Sequence, residues 1–189
     1  LWKRTAHRVW LRGFDRFLAI GKVNRDFYVQ AGIPEARIHP CPYFVDNRRF
    51  AGAADALRER RNELRGRWSI PEHATCFLFC GKLIPKKHPL DLLRALQRAL
   101  AAGASAHVLA VGDGELMAQA RALVERERLP VTFAGFLNQT EIVGAYVAAD
   151  CLVLPSDTGE TWGLVVNEAM ACGIPAIVSD QVGCAADLV

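Results

Sequence analysis

Two glutamates near the end of the chain have a spacing that could serve one ligand. Glu160 and Glu168 are separated by seven residues, and Gly163 lies between them. The apolar run at 151–155 precedes them, and this order predicts a buried strand, a turn and then a helix over 163–172. The N-terminus of a helix that follows a parallel strand offers unpaired N–H groups and a positive dipole end to an anion. A carboxylate on each side of that point suits a ligand whose hydroxyl groups flank a phosphate, and a nucleotide sugar has that layout.

The same two carboxylates could instead belong to the exposed face of a helix and to a solvated loop. Glu168, however, is followed by an apolar stretch that runs through Pro175, with no polar companion after Asn167. The predicted helix is therefore buried on most sides, and an ionised carboxylate inside it needs a partner. Ribose hydroxyl groups would supply that partner.

Seven short signatures occur in one order along the chain, and together they resemble those of a known family, the group 1 or GT4-type glycosyltransferases of the GT-B fold. One pair of glutamates at this spacing would recur by chance, whereas seven ordered signatures would not. The resemblance covers the chain from about residue 36 to its end, and residues 14–35 more loosely. The signatures lie at 81–87, 111–116, 133–136, 148–150, 154–156, 160–175 and 180–183.

The resemblance implies a role for each part of the site. Glu168 would hold the ribose, and Glu160 would bind hydroxyl groups of the transferred sugar rather than attack it. Phe136 and Leu137 would lie where the base is held, although core packing is the alternative for Phe136. Backbone N–H groups at the start of the predicted helix would meet the phosphate. The implied donor-binding residues are Gly81, Gly112, Phe136, Leu137, Gly163, Leu164, Val165 and Glu168, and the implied catalytic residues are Glu160, Lys82 and Lys87.

Three lysines follow the predicted strand at 76–80, and their charge alone would favour a solvated loop. The family usually places an Arg and a Lys here to hold the donor diphosphate, because cations stabilise the charge that develops on the departing nucleotide diphosphate. In this chain the first of the two is Lys82, which keeps the charge but loses the forked geometry of a guanidinium. With Gly81 and the distant glutamates as context, we expect Lys82 and Lys87 to contact phosphate and Lys86 to lie on the surface.

The implied function is sugar transfer from a nucleotide sugar, a UDP- or GDP-sugar, to a glycan or lipid-linked acceptor. The resemblance implies retention at the anomeric carbon, no cofactor and no obligatory metal, and the sequence has no Asp-x-Asp cluster on any predicted loop. We expect the chain alone to bind the donor without transferring its sugar. The alternatives are a sugar-nucleotide epimerase of the same fold and a non-catalytic nucleotide-sugar-binding module.

Strands and helices alternate along the chain, which predicts an α/β fold: a Rossmann-like parallel sheet with helices on both faces, the second domain of a GT-B fold. Residues 1–45 would be the end of a first, acceptor-side domain, and residues 46–189 the nucleotide-sugar-binding domain. The predicted strands are 17–20, 37–41, 76–80, 107–111, 131–134, 151–154 and 176–179, and the predicted helices are 23–31, 54–68, 89–102, 115–128, 140–149 and 163–172.

Two other functional classes are disfavoured. The sequence Gly112-Asp-Gly114 looks like the start of a dinucleotide-binding motif, but Met117 stands where that motif needs Gly or Ala. His73, Cys76 and Cys80 could be imagined as metal ligands, yet the two cysteines bracket an apolar strand and no C-x-x-C pair occurs. We expect all six cysteines to be reduced, and those in or beside apolar patterns, including Cys41, to be buried.

Length and composition lead us to expect part of a longer protein, and the reduced cysteines make the cytoplasm the default location. The chain has 189 residues and net charge +3, and it has no initiator Met and no apolar run long enough to span a bilayer. Residues 1–67 carry 15 basic against 7 acidic residues. Residues 1–17 interleave aromatic and basic residues, which suits either peripheral contact with the inner face of the membrane or a helix packed on the first domain. Nucleic-acid binding is disfavoured because no recognition motif accompanies the charge.

Overall fold

A small parallel sheet comes first in the part of the chain that the computed structural model describes, residues 10–11, 13–157 and 159–189. It contains β1 (Phe17–Ala19) and β2 (Ile38–Pro40), joined by α1 (Lys22–Gln30). These elements agree with the predicted strand, helix and strand to within one residue at each end. Residues 1–9 and 12 lie outside the described ranges, so the basic and aromatic helix at 1–17 stays a prediction. The division into domains at 45 and 46 also stays a prediction.

Two helices occupy the region where the sequence analysis places one helix at 54–68, and that prediction is wrong. The first, α2 (Asn47–Arg58), begins earlier because the side chain of Asp46 accepts a hydrogen bond from the backbone N–H of Arg49 at 3.0 Å. The second, α3 (Arg61–Arg67), follows a turn. Helical periodicity continues across that turn, which is why the pattern alone does not reveal it.

The turn between α2 and α3 brings two arginines to one carboxylate. Arg61 Nη2 lies 2.6 Å from Asp150 Oδ1, and Arg65 Nη1 lies 3.2 Å from Asp150 Oδ2. Asp150 Oδ2 also accepts a hydrogen bond from the backbone N–H of Cys76 at 2.8 Å. Because Arg65 is buried, it needs this partner, and the arrangement joins α3 to two strands of the main sheet.

The main sheet has five parallel strands in the order β5-β4-β3-β6-β7. The fold is therefore the expected α/β arrangement with a Rossmann-like parallel sheet. The strands are β3 (Thr75–Cys80), β4 (Ala106–Val111), β5 (Val131–Gly135), β6 (Cys151–Leu154) and β7 (Ala176–Val178), and the helices are α4 (Pro89–Ala101), α5 (Met117–Glu127), α6 (Ile142–Ala148), α7 (Leu164–Ala171) and α8 (Ala185–Leu188).

Helices cover both faces of the main sheet, as the sequence predicts. Successive side chains of a strand point to opposite faces, so Leu78 and Phe79 of β3 enter different cores. Phe79 packs with Leu96 of α4 and with the inward residues of α5. Leu78 packs with Tyr146 of α6 and Val166 of α7, in a core that also receives apolar side chains from α2. Burial of these two apolar layers is the main favourable contribution to folding.

Asp187 and Trp162 are two of the side chains that contact the segment between β1 and α1. The Asp187 carboxylate of α8 accepts hydrogen bonds from the backbone N–H of Lys22 at 3.0 and 3.2 Å, which caps the N-terminus of α1. The ring of Trp162 lies so close to Gly21 that a Cβ there would be 2.4 Å from it. The ring centroids of Trp162 and Tyr43 are 6.1 Å apart in an edge-to-face arrangement. This part of the chain therefore lies against the segment that follows β6.

All six cysteines are free thiols, and the expectation that Cys41 is buried is wrong. Cys41 directly follows the short strand β2, whose last two residues are exposed, and Cys41 is exposed as well. Cys76, Cys151, Cys172 and Cys184 are buried, whereas Cys80, also expected to be buried, is only partly buried. In the described ranges, no helix has both the length and the apolar character needed to cross a bilayer.

Candidate functional site

The strand order places a crevice at the carboxyl end of the main sheet. From the central strand β3, the chain proceeds to β4 and β5 on one side, and then crosses to β6 and β7 on the other. Loops at the carboxyl ends of β3 and β6 therefore lead away from each other, and a parallel sheet binds ligands at such a switch point. The loops that carry the predicted site residues leave the sheet at this edge.

A cavity of about 420 Å³ lies beside this crevice. Phe136 is 81% exposed at the cavity, which excludes the core-packing alternative for this side chain. The cavity is also lined by Asp113 and Asn138, which no prediction named. Six of the predicted residues line it together: Gly81, Lys82, Gly112, Phe136, Leu137 and Glu168.

Close backbone contact explains why position 112 is a glycine. A Cβ on Gly112 would lie 2.1 Å from the carbonyl oxygen of Gly81, and Gly112 has a φ of +120°. The N–H of Gly81 donates to the carbonyl oxygen of Val111 at 3.0 Å, so the two loops continue the pairing of β3 with β4 beyond the strands. Because no side chain fits between them, the glycines fix the position of the loop that carries Lys82.

Glu168 reaches the cavity from α7 and has a buried partner. The hydroxyl of Tyr146 in α6 donates a hydrogen bond to Glu168 Oε2 at 2.6 Å. Burial, followed by the nearby Cys80 and Glu168, raises the pKa of Tyr146 far above its ordinary value, so the phenol is protonated. Burial and the Glu168 charge raise the pKa of the Cys80 thiol to about 11. The sequence analysis expected Glu168 to need a partner, but it did not foresee Tyr146.

Lys87 and Glu160 form an ion pair between the loops after β3 and β6. Their side chains are only 15% and 14% exposed. Lys87 also lies against Gly81, since a Cβ there would be 3.7 Å from its Cε. The pair thus stands next to the cavity without lining it. A partly buried pair of opposite charges at the mouth of a crevice can separate to bind an anion and hydroxyl groups.

The neighbouring turn is joined to the same loop through its backbone. The N–H of Asp157 donates to the carbonyl oxygen of Lys86 at 3.0 Å, and Lys86 Nζ donates to the carbonyl oxygen of Gly159 at 3.1 Å. Lys86 is exposed, as predicted. The backbone bond between Asp157 and Lys86 does not depend on the Lys86 side chain, and it holds the two loops together near Lys87 and Glu160.

The start of α7 is built as the sequence predicts, but it does not line the cavity. Gly163 is buried with a φ of +98°, and a Cβ there would lie 2.8 Å from Leu154. Leu164 is exposed, whereas Val165 packs against the core. The N–H of Val166 donates to the carbonyl oxygen of Gly163 at 2.9 Å, whereas the N–H groups that precede it at a helix start have no intrahelical acceptor and can meet an anion.

Gly183 is a residue whose role sequence reasoning missed. Its N–H donates to the carbonyl oxygen of Glu160 at 3.0 Å, and a Cβ would lie 1.9 Å from the carbonyl oxygen of Thr161. The next N–H, of Cys184, donates to the carbonyl oxygen of Trp162 at 3.1 Å. Gly183 therefore holds the Glu160 loop in place. Its presence in the last of the seven signatures was the signal that could have found it.

The residues described by the structure contain no group of three or more His, Cys, Asp or Glu side chains placed to hold a metal ion. His73, Cys76 and Cys80, considered above as ligands, form no such group. Cys76 lies inside β3, where burial raises the pKa of its thiol to about 12.

Comparison with known proteins connects this geometry to a family. The sequence model described as "Glycosyl transferases group 1" matches residues 60–189. A relative from Mycobacterium tuberculosis (strain CDC 1551 / Oshkosh), named GDP-mannose-dependent alpha-mannosyltransferase, is 36% identical over 188 residues. The match covers 96% of this chain and 42% of that relative, so the chain spans less than half of its length.

Solved structures share the fold. A glycosyltransferase from Rickettsia africae has a TM-score of 0.77 at 17% identity, over 95% of this chain and 48% of the other. Anabaena HepE, solved in complex with UDP and glucose, has a TM-score of 0.68 at 20% identity, over 90% of this chain and 45% of the other. With the family model matching most of the sequence, the chain belongs to the group 1 glycosyl transferases.

Proposed function

We propose that this chain binds the nucleotide-sugar donor of a glycosyltransferase, in the cavity at the carboxyl end of the main sheet. The observation that carries the proposal is the grouping of a carboxylate, a cation and an exposed aromatic ring around that cavity: Glu168, Lys82 and Phe136. The carboxylate suits ribose hydroxyl groups, the cation suits phosphate, and the ring suits the face of a base.

The donor diphosphate would lie between the cavity and the Lys87–Glu160 pair. Lys82 lines the cavity and Lys87 packs against Gly81, so two ammonium groups flank the same loop. Glu160 stands on the other side of Lys87, where it would bind hydroxyl groups of the transferred sugar. The N–H groups at the start of α7 would add further donors, in the region of Gly163, Leu164 and Val165.

GDP-mannose is the first donor to test, because the Mycobacterium tuberculosis relative that matches nearly the whole chain is named for it. UDP-sugars are the second choice. We further propose that the whole protein transfers the sugar with retention, without an obligatory metal or other cofactor, to a glycan or lipid-linked acceptor. Location in the cytoplasm, with membrane contact through residues 1–17, belongs to the same proposal.

Thermal unfolding of the chain with GDP-, UDP- and ADP-sugars tests donor binding. A ligand at 100 times its dissociation constant adds about 2.7 kcal/mol of stability, which is easily measured. Mannose alone and pyrophosphate alone are the controls, and each should stabilise the chain far less than the matching nucleotide sugar. If no nucleotide sugar raises the unfolding temperature, the chain does not bind a donor.

Transfer itself is tested with the longer protein that contains this chain. Release of nucleoside diphosphate only when an acceptor is present indicates transfer, whereas conversion of the donor without acceptor indicates an epimerase. The anomeric configuration of the product, read by NMR, tests retention, and activity in excess EDTA tests metal independence. If the protein binds the donor but neither releases nucleoside diphosphate nor converts the donor, it is a non-catalytic nucleotide-sugar-binding module.

A further inference from the structure

A buried hydroxyl group meets the carboxylate that faces the nucleotide cavity. Tyr146 lies in α6, in which every residue is buried, and its side chain is 0% exposed. Its hydroxyl donates to Glu168 Oε2 at 2.6 Å, while Glu168 is partly exposed and lines the cavity. The bond therefore connects the core of the domain to the wall of the cavity.

The tyrosine ring is held firmly, so its hydroxyl has a fixed position. Phe50 of α2 packs against it with ring centroids 6.5 Å apart at an interplanar angle of 77°. Both rings belong to the core formed by α2, α6 and α7. A close-packed interior gives a side chain of this size little freedom to turn. Glu168, in contrast, has a long, rotatable side chain that would otherwise sample several rotamers.

One hydrogen bond from Tyr146 leaves the carboxylate able to accept more. An ionised carboxylate has about four acceptor positions on its two oxygens, and the tyrosine hydroxyl fills one of them. The 2′- and 3′-hydroxyl groups of a ribose could use two others. Because Tyr146 already orders the Glu168 side chain in the free protein, ligand binding does not have to include the entropy cost of fixing its rotamer.

We propose that Tyr146 is a positioning residue, whose hydroxyl holds the Glu168 carboxylate in the orientation that accepts hydrogen bonds from the ribose of a bound nucleotide. The inference rests on the proposed function, because it requires a nucleotide in the cavity. Tyr146 itself does not line the cavity. The alternative is that the bond only satisfies a buried hydroxyl group and has no effect on the ligand.

Tyr146→Phe separates the two roles, since it removes the hydroxyl and keeps the ring. Binding is measured by calorimetry with GDP and with 2′,3′-dideoxy-GDP, which lacks the ribose hydroxyl groups. We expect the variant to bind GDP about tenfold more weakly than the wild-type chain, in line with one misplaced charge-assisted hydrogen bond. Its affinity for the dideoxy nucleotide should change less than twofold.

Two variants serve as controls. Tyr43→Phe removes the hydroxyl of a tyrosine that lines a different cavity, next to Trp162, and should leave both affinities unchanged. Glu168→Gln should reduce GDP binding, and adding Tyr146→Phe to it should produce little further loss. Equal losses of Tyr146→Phe for GDP and the dideoxy nucleotide would mean that Tyr146 acts only on the structure, and no loss for either would equally overturn the proposal.

Labelled tyrosine gives a readout that does not depend on the folding of the Tyr146 variant. The chain has three tyrosines, so the ¹³Cζ resonance of Tyr146 can be assigned by eliminating those of Tyr28 and Tyr43. It should shift on addition of GDP and stay in place with dideoxy-GDP. If GDP binds and the resonance does not move, the proposed function stands and the role of Tyr146 fails. If the wild-type chain binds no nucleotide, both fail.

Discussion

If the donor binds as proposed, the ion pair between Lys87 and Glu160 requires it to compete with each of the two side chains for the other. Both groups are mostly buried, so each would be left in an unfavourable environment without a counter-charge. A diphosphate can replace Glu160 as the partner of Lys87, and sugar hydroxyl groups can replace Lys87 as the partner of Glu160. Binding thus exchanges partners rather than exposing a bare charge.

Glu160→Gln should consequently retain or strengthen the binding of GDP, because Lys87 no longer has a competing carboxylate. In the whole enzyme the same variant should lose turnover, since orientation of the reacting sugar contributes more in the transition state than in binding. Calorimetry with GDP and GDP-mannose measures the first effect and steady-state kinetics the second.

Asp157→Asn is the matched control for Glu160→Gln, because it neutralises a carboxylate on the same loop that faces His88 at 3.7 Å instead of Lys87. It should have little effect on either ligand. If Glu160→Gln weakens GDP binding as much as Glu168→Gln does, the two glutamates do not act on different parts of the donor.

Lys87→Ala should weaken the binding of GDP more than that of guanosine, by about 1.5–3 kcal/mol for a charge-assisted hydrogen bond to phosphate. Titration of both ligands measures the difference. Lys86→Ala removes a neighbouring, exposed ammonium group whose Nζ donates to the carbonyl oxygen of Gly159, and it should change neither affinity appreciably. Equal losses for GDP and guanosine in Lys87→Ala would show that Lys87 does not touch phosphate.

The loops after β3 and β4 depend on a close approach that a larger residue would prevent. Gly112→Ala should lower the free energy of unfolding by more than about 2 kcal/mol and should weaken nucleotide binding, because it drives Gly112 against the Gly81 carbonyl and strains a positive φ. Urea unfolding and GDP titration measure the two effects.

Gly103→Ala is the control for Gly112→Ala, because it introduces the strain of a positive φ without a steric clash. Gly103 also has a positive φ, +88°, but a Cβ there meets nothing within 4 Å. Its substitution should cost about 1 kcal/mol, the price of a left-handed residue, and should leave GDP binding intact. Similar losses in the two variants would refute the steric explanation.

Acid should weaken the edge of the main sheet through His107. Its Nε2 lies 3.0 Å from Thr132 Oγ1, and that hydroxyl donates to the Trp68 carbonyl oxygen at 2.6 Å. Burial, followed by the nearby Arg65 charge, lowers the pKa of His107 in the folded chain. The unfolded chain therefore takes up the proton first, and stability falls as the pH drops below about 6.5 towards the folded pKa.

Unfolding free energies of the wild-type chain and His107→Gln at pH 8 and pH 5.5 measure this contribution. Gln cannot titrate in this range, so the loss on acidification should be smaller in the variant. Parallel losses would assign the acid sensitivity to other groups.

The sequence predicts long, strongly periodic elements well and turns between helices poorly. The pattern places α4 to within one residue, since Pro89 begins it and an apolar stripe with four buried residues continues through it. The break between α2 and α3 depends instead on Arg61 and Arg65 reaching Asp150, more than 80 residues away in the chain. Contacts at that separation leave no local pattern.

The candidate site shows the same division. Glu168 and Phe136 line one cavity, as the motifs imply. The segments that carry them follow parallel strands, whose carboxyl ends lie at the same edge of the sheet. The partner of Glu168 could not be predicted in this way. The sequence around Tyr146 looks the same whether the tyrosine hydroxyl bonds a carboxylate or the ring is simply packed in the core. The pairing of Lys87 with Glu160 likewise needs the three-dimensional arrangement of two loops.

At the scale of the whole molecule, the site is assembled from both halves of the main sheet. Lys82 and Lys87 follow β3, whereas Glu160 and Glu168 follow β6, on the other side of the switch point. A relative motion of the two halves would therefore change the distance between the cations and the carboxylates. The partly buried contacts of Asp150 with α3 and β3 oppose such a motion.

Asp187 caps α1, and Trp162 lies against Gly21. These contacts connect the small sheet to the segment that follows β6, so binding at one could be linked to binding at the other. Trp162 stands two residues beyond Glu160, so the small sheet and the nucleotide site share one segment of backbone. If a ligand bound at the small sheet changed the affinity for nucleotide by some factor, thermodynamic reciprocity would apply. Bound nucleotide would then change the affinity for that ligand by the same factor.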